Sequence, residues 1–143
     1  PALIAAGLPR TSITSLDATR KRLYGSVSIL GGYEVEKETR LAETALMERG
    51  RSVVRDATGL NPRFRRTDIL RAQDYDYAAV ALLASTLSLR ELRRRNASRA
   101  ARVPDHVLVS FYEKARALTV EGLLDEGFDT VVVWNDRTVF TLD

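Results

Sequence analysis

Residues 89–104 carry six arginines in one short stretch that reads LRELRRRNASRAARVP. The pattern predicts a helix that begins at Leu87 or Ser88 and ends at Val103, because Pro104 favours extended backbone in the residue before it. On such a helix Arg95 and Arg99 are four apart and stack on one face, about 6 Å from each other. Two guanidinium groups so placed can hold one polyphosphate or carboxylate. The alternative interpretation is a solvated surface helix rich in arginine.

The basic side chains of the whole chain are mostly arginine. Of 22 Lys and Arg residues only three are lysine, which leaves 19 arginines for 19 acidic residues and a net charge of +3. Arginine is the side chain best suited to phosphate, because its planar fork binds two oxygens at once. The arginines cluster at residues 63–71 and 90–102, and the isoelectric point is about 9.5. Together these features predict a polyanionic partner.

Composition excludes several classes of site. The chain has 143 residues, which favours a single domain over residues 1–143. It has no cysteine and one histidine, His106, so neither disulfides nor a Cys or His metal site is predicted. His106 is expected to be a surface or capping residue. No apolar run approaches the ~20 residues of a membrane span, and no signal peptide is evident, so we expect no membrane partner and a cytoplasmic location.

Apolar runs alternate with helical patterns along the chain. Six strands are predicted: Pro1–Leu8, Thr11–Leu16, Ser52–Ala57, Asp76–Ala84, Phe128–Trp134 and Thr138–Leu142. Helices are predicted from Asp17 to Gly25, over Glu34–Arg49, from Asn61 to about Gln73, over the arginine-rich stretch and after Pro104. In the Glu34–Arg49 helix the expected buried side is Val35, Leu41, Ala42, Ala45 and Leu46. Alternating strands and helices predict an α/β fold with one parallel sheet.

In a parallel sheet the chemistry gathers at the carboxyl ends of the strands. This rule points to four places: the turn Gly7-Leu8-Pro9, Asp17, Asp56 and the arginine helix. A carboxylate at such an edge can orient a hydroxyl group, and an arginine one helical turn after it, as Arg20 is after Asp17, lies on the same face.

Four blocks then suggest a family. SLDATR at residues 15–20, DATGLNPRFRR at 56–66, RNASRAARVP at 95–104 and EGFDTVVV at 126–133 together resemble the P-loop kinases of the polynucleotide 5′-hydroxyl kinase group. The order and approximate spacing of the blocks match. The resemblance implies a P-loop kinase-like parallel sheet with an arginine-rich lid helix, ATP and Mg²⁺ as cofactors, and nucleic acid 5′ ends as partners.

The resemblance also implies roles for residues of the acceptor side. Asp17 would be the general base that accepts the proton of the attacking hydroxyl, and Arg20 would bind the adjacent phosphate. A helix N-cap is the alternative for Asp17, and a surface ion pair is the alternative for Arg20. Asp56 would position the acceptor, although Gly59 stands where the family has an asparagine.

Further roles follow on the donor side and along the nucleic acid. Arg95 and Arg99 would hold the donor phosphates and stabilise the charge of the transition state, together with the turn of Gly7 and Pro9. Arg95 and Arg99 are expected to lie with Asp17 in one cleft. Arg63 is the expected contact to nucleic acid. Two alternatives are open for Arg63, Arg65 and Arg66: they touch the backbone of the nucleic acid, or they face solvent.

One part of the family pattern is missing. A P-loop ends in Gly-Lys-Ser/Thr, whose lysine spans two phosphates, whereas this chain reads GLPRTSIT at residues 7–14. Two explanations are open: a phosphate loop and its helix are missing from the printed sequence between about Arg10 and Ser12, or the chain is a natural or engineered deletion. The first is favoured because parallel neighbours need a crossover of a dozen residues or more.

Three functions are compatible with these residues. The first is a kinase of nucleic acid 5′-hydroxyl ends. The second keeps the fold and phosphorylates the hydroxyl group of a small molecule. The third is a domain without catalysis that binds nucleic acid through arginine charge alone.

Overall fold

A computed structural model describes residues 10–27, 32–85 and 87–134. They form an α/β structure in two compact units, of which the first extends to Thr58 and the second begins at Gly59. The first unit contains β1 (Thr11–Ser15), α1 (Leu16–Tyr24), α2 (Gly32–Met47) and β2 (Ser52–Asp56). The second contains α3 (Pro62–Asp74), β3 (Val80–Ala84), α4 (Leu89–Ala97), α5 (Asp105–Arg116), α6 (Val120–Glu126) and β4 (Thr130–Trp134).

Parallel pairing is confirmed in both units. In the first, β1 pairs with β2 in a register that runs from Thr11 opposite Ser52 to Ser15 opposite Asp56. In the second, β3 pairs with β4 from Val80 opposite Thr130 to Ala84 opposite Trp134. The described strands therefore form two two-stranded parallel sheets, where the sequence predicted one sheet. The single domain stays a prediction.

Helix α1 begins and ends where local chemistry dictates. Ser15 is its N-cap and accepts a hydrogen bond from the Ala18 N–H, so the capping role considered for Asp17 belongs to Ser15. Gly25 ends the helix in the left-handed conformation, with φ of 73°. Asp17 lies in the first turn of α1, where the helix dipole stabilises a negative charge.

The buried side of α2 differs from the prediction. Val35 is buried as predicted and Ala45 and Leu46 are half-buried, but Leu41 is 55% exposed, Ala42 is exposed, and the other buried residues are Thr39 and Glu43. The reason is an ion pair: Arg55 of β2 binds the Glu43 carboxylate through Nε at 2.9 Å and Nη2 at 2.7 Å. A buried carboxylate requires such a partner, and Glu43 with its partner Arg55 takes a buried position that the hydrophobic pattern did not predict.

Strand β3 and helix α6 of the second unit differ from the prediction. Strand β3 begins at Val80 rather than Asp76, because Tyr75 and Asp76 form a turn in which Asp76 has φ of 56°. Helix α6 was not predicted; Thr119 caps its first turn by accepting a hydrogen bond from the Gly122 N–H. Helix α3 starts at Asn61 and Pro62 as the sequence predicts.

Helix α4 is shorter than the predicted arginine helix and ends at Ala97. Ser98 ends it, since its N–H and hydroxyl both donate to the Arg95 carbonyl at 3.3 and 2.8 Å. Arg99 and Arg102 consequently lie beyond the helix, and the expected stacking of Arg95 and Arg99 on one helical face is wrong.

Some predictions fall outside the described residues. These are the strands Pro1–Leu8 and Thr138–Leu142 and the proposed nucleotide-binding turn with Gly7 and Pro9. The question of a missing phosphate loop therefore stays open.

Candidate functional site

The carboxyl ends of β1 and β2 form a polar edge, by which we mean Ser15, Asp17, Arg20 and Asp56. The register sets Ser15 directly opposite Asp56, the last residue of β2. Asp17 follows two residues after Ser15, in the first turn of α1. Neighbouring strands are about 4.8 Å apart, so the parallel pairing brings two predicted site carboxylates to one edge. The sequence prediction that Asp17 and Asp56 share such an edge is confirmed.

Asp17 and Arg20 form an ion pair across one turn of α1, between Oδ1 and Nη1. The side chain of Asp17 is 66% exposed, whereas that of Arg20 is 19% exposed. Within the part of the chain that the structure describes, the buried Nε of Arg20 has no hydrogen-bond partner. The pair confirms that both groups share a helical face.

Beneath this edge lies a network of charged groups. The Glu43 carboxylate, 4% exposed, accepts hydrogen bonds from Arg55 and from the Thr14 hydroxyl at 2.7 Å. Arg55 also contacts Glu36 at 2.7 Å, and Glu36 contacts Arg40 at the same distance. Thr14 and Arg55 are opposite each other in the sheet, next to the pair of Ser15 and Asp56. The network fixes the strands just before the polar edge.

The three arginines that follow Asn61 in α3 differ in their exposure and in their contacts. Arg63 and Arg66 are exposed, in agreement with either interpretation made for them. Arg65 does neither: it is 9% exposed and donates from Nε and Nη2 to the Glu126 carboxylate and from Nη1 to the Gly59 carbonyl at 2.8 Å. These hydrogen bonds lower the pKa of Glu126. Arg65 is therefore a structural residue.

Most arginines of α4 have acidic partners. Glu91 accepts two hydrogen bonds from Arg94 and one from Arg95, all between 2.7 and 2.8 Å. They lower the pKa of the Glu91 carboxyl to about 2. Arg93 binds both carboxylate oxygens of Asp105, the first residue of α5, at 2.7 and 2.8 Å. Arg95, a predicted donor-phosphate ligand, is thus held by a carboxylate of its own helix.

Arg99 and Arg102, which follow α4, differ from Arg93, Arg94 and Arg95 because they have no acidic partner in the described residues. Arg99 and Arg102 lie in an exposed segment, residues 97–102, that we call the arginine loop. Within the described ranges no carboxylate pairs with either guanidinium group. The loop closes where the side-chain amide of Asn96 bonds to the backbone of Val103. Two arginines in one short closed loop, neither with an acidic partner in the described residues, can bind an anion. That Arg99 and Asp17 share a cleft stays a prediction.

His106 is exposed in the first turn of α5, as expected for a surface residue. In residues 10–27, 32–85 and 87–134 no three His, Asp or Glu side chains lie together in a way that could hold a metal ion. Among the helices of the same residues, none has the length and apolar character that a membrane span needs.

Several residues of these sites were missed by sequence reasoning. The pairing of Glu91 with Arg94 and Arg95 was visible as spacings of three and four in a helix. Asn96 and Glu126 carried no such signal, because each acts on a residue that only the fold brings near. Comparisons with models of protein families and with curated proteins found no match to this chain.

Proposed function

We propose that this chain transfers the γ-phosphate of ATP to the 5′-hydroxyl end of a nucleic acid, on a P-loop kinase-like α/β fold. The observation that carries the proposal is the polar edge, where Asp17 and Asp56 follow two paired parallel strands. Substrates of α/β enzymes bind at such edges. The order of the four sequence blocks that resemble polynucleotide kinases supports the same reaction.

On the acceptor side, Asp17 is the proposed general base. Its carboxylate is exposed and can take the proton of a 5′-hydroxyl group within hydrogen-bond reach. Arg20, whose side chain is 19% exposed, binds the neighbouring phosphate of the acceptor strand through its guanidinium group, and Asp56 helps to position the acceptor. Arg20 is paired with Asp17. A phosphate that binds Arg20 therefore weakens the ion pair between Arg20 and Asp17, the proposed base.

On the donor side, positive charge comes from arginine. Arg99, together with Arg95, is proposed to hold the phosphates of ATP, and an arginine that meets the transferred phosphoryl group can be worth roughly 10³ to 10⁵ in rate. Arg95 must first leave Glu91, whereas Arg99 has no competing carboxylate in the described residues. Gly7 and Pro9 remain the proposed nucleotide-binding turn, and Arg63 a proposed contact to the acceptor strand.

Mg²⁺ is the second cofactor that the resemblance implies. Phosphoryl-transfer sites hold Mg²⁺ with one or two carboxylates and the substrate phosphates. The described residues do not fit a metal site made by protein alone. An ion would arrive with ATP, and the steps proposed above use only the side chains of this chain.

A second candidate is favoured by one specific observation. The chain has no Gly-Lys-Ser/Thr sequence, so it lacks the lysine that binds the phosphates of ATP in a P-loop. A domain of this kind would bind nucleic acid through its free arginines without transfer of phosphate. Such binding weakens steeply with salt, because each phosphate contact releases counterions.

One assay separates the candidates. The chain is incubated with γ-labelled ATP, Mg²⁺ and an oligonucleotide that ends in a 5′-hydroxyl group, in DNA and RNA forms. The matched control is the same oligonucleotide with a 5′-phosphate. We expect label only on the 5′-hydroxyl ends. Label on a panel of small hydroxyl compounds alone would indicate a small-molecule kinase, and salt-sensitive oligonucleotide binding without ATP binding or transfer would support the second candidate.

A further inference from the structure

The arginine loop is closed by a single side chain. The Asn96 Nδ2 donates to the Val103 carbonyl at 2.8 Å, and the Val103 N–H donates to the Asn96 Oδ1 at 2.9 Å. The main-chain carbonyl of Asn96 accepts a third hydrogen bond from the Arg99 N–H at 3.2 Å. One residue thus fixes both ends of the loop and the backbone of its first arginine.

Asparagine suits this position because its amide both donates and accepts. Pro104 favours extended backbone at Val103. An extended residue turns its own N–H and carbonyl to the same side, so one side-chain amide reaches both, as a paired strand residue does. Aspartate would keep the bond to the Val103 N–H and would repel the carbonyl, and alanine would make neither bond.

In the described residues the loop holds two arginines without an acidic partner, and Arg90 at the start of α4 is a third, outside the loop. Arg93, Arg94 and Arg95 each bind a carboxylate, whereas Arg99 and Arg102 are exposed and unpaired. An open segment of six residues would have to become ordered when it binds an anion, at a cost in affinity. A loop that is already closed avoids part of this cost.

We infer that Asn96 is a positioning residue, which closes the arginine loop and so holds Arg99 and Arg102 ready for the polyphosphate of a nucleotide. The inference rests on the proposed function for the role of Arg99, and it adds Asn96 and Arg102 to the site. Asn96 does not touch the ligand; it acts through the loop.

The test uses inorganic tripolyphosphate as the probe and calorimetry as the measurement. Asn96→Ala is compared with Asn61→Ala, which removes another asparagine of the same unit, the cap of α3. We expect Asn96→Ala to weaken tripolyphosphate binding roughly 5- to 30-fold, the effect of losing two hydrogen bonds. Asn61→Ala should leave affinity unchanged even if it lowers the melting temperature. Asn96→Asp keeps one bond but repels the Val103 carbonyl and adds a negative charge beside Arg99, so it should also weaken binding, and it serves if the alanine variant does not fold.

A second readout is specific to positioning. Hydrogen exchange at the Val103 amide should become faster in Asn96→Ala and stay unchanged in Asn61→Ala, because only the first removes its acceptor. The inference is wrong if Asn96→Ala and Asn96→Asp bind tripolyphosphate as tightly as the parent chain while Arg99→Gln/Arg102→Gln binds it more weakly. If Arg99→Gln/Arg102→Gln also binds like the parent, the proposed role of the arginines fails, and the inference with it.

Discussion

Arg65 and Glu126 are 61 residues apart in the chain, and their side chains meet in a two-pronged ion pair inside the second unit. Arg65 comes from the first helix of that unit and Glu126 from the end of α6. The side chain of Arg65 is 10% exposed, and its guanidinium group also donates to the Gly59 carbonyl. Two of its hydrogen bonds therefore join elements that are distant in sequence and a third holds the segment just before α3, which gives Arg65 a structural role although it lies among exposed arginines.

Arg65→Gln should destabilise the chain strongly. It removes the charge that faces Glu126 and leaves the Gly59 carbonyl without its donor, so we expect the free energy of unfolding to fall by about 2 to 4 kcal/mol. Arg66→Gln is the control, since it makes the same change of charge at the exposed neighbour and should cost no more than about 0.5 kcal/mol. Urea denaturation measures both. Equal losses for the two variants would show that the ion pair contributes nothing.

The buried carboxylate of the first unit makes a second stability test. Glu43→Gln keeps the volume of the side chain but removes the charge that compensates Arg55, so we expect a loss of about 2 to 4 kcal/mol in the free energy of unfolding. Glu48→Gln, at an exposed position just after α2, should stay within about 0.5 kcal/mol of the parent chain. If Glu43→Gln unfolds at the same denaturant concentration as Glu48→Gln, the network beneath the polar edge is not what fixes the strands.

The sequence predicts structural features that depend on local interactions better than those that depend on distant partners. Asn61-Pro62 begins a helix because a cap and a proline act locally, and the sequence predicts that start to the residue. The end of α4 depends on Ser98 and Asn96, whose bonds compete with a helical continuation that the arginine spacing favours equally well. The burial of Arg65 and Glu43 could not be predicted, because each depends on a partner that the fold brings near. A hydrophobic pattern assigns such charges to the surface.

Glu91 competes with anions for Arg94 and Arg95. Glu91→Gln should therefore strengthen tripolyphosphate binding, by about two- to fivefold, which is what an exposed ion pair is worth. Glu121→Gln removes the same charge from an exposed position of α6 and should have a smaller effect. Calorimetry measures both. If the two variants bind tripolyphosphate with the same affinity, Glu91 does not hold Arg95 away from the ligand.

The ion pairs of Glu91 also predict a pH dependence. Hydrogen bonds from Arg94 and Arg95 lower the pKa of Glu91 from 4.5 to about 2. A lowered pKa in the folded state means that the pairs stabilise it above pH 4.5, and that this contribution disappears as the pH falls toward 2. A carbon NMR titration of the side-chain carboxyl should give a midpoint near the lower value. A midpoint near 4.5 would mean that the pairs do not form in solution.

The transfer of phosphate by the Asp17→Asn variant is the most direct test of the proposed function. The change keeps the shape of the side chain and removes the group that takes the proton from the 5′-hydroxyl, so the loss expected is at least 10²-fold, the lower end of what a general base contributes. Asp74→Asn, at an exposed position at the end of α3, is the control and should transfer phosphate like the parent chain. We expect that Asp17→Asn still binds ATP and that its labelling of a 5′-hydroxyl oligonucleotide falls by at least this factor. Full labelling by Asp17→Asn would show that Asp17 is not the base.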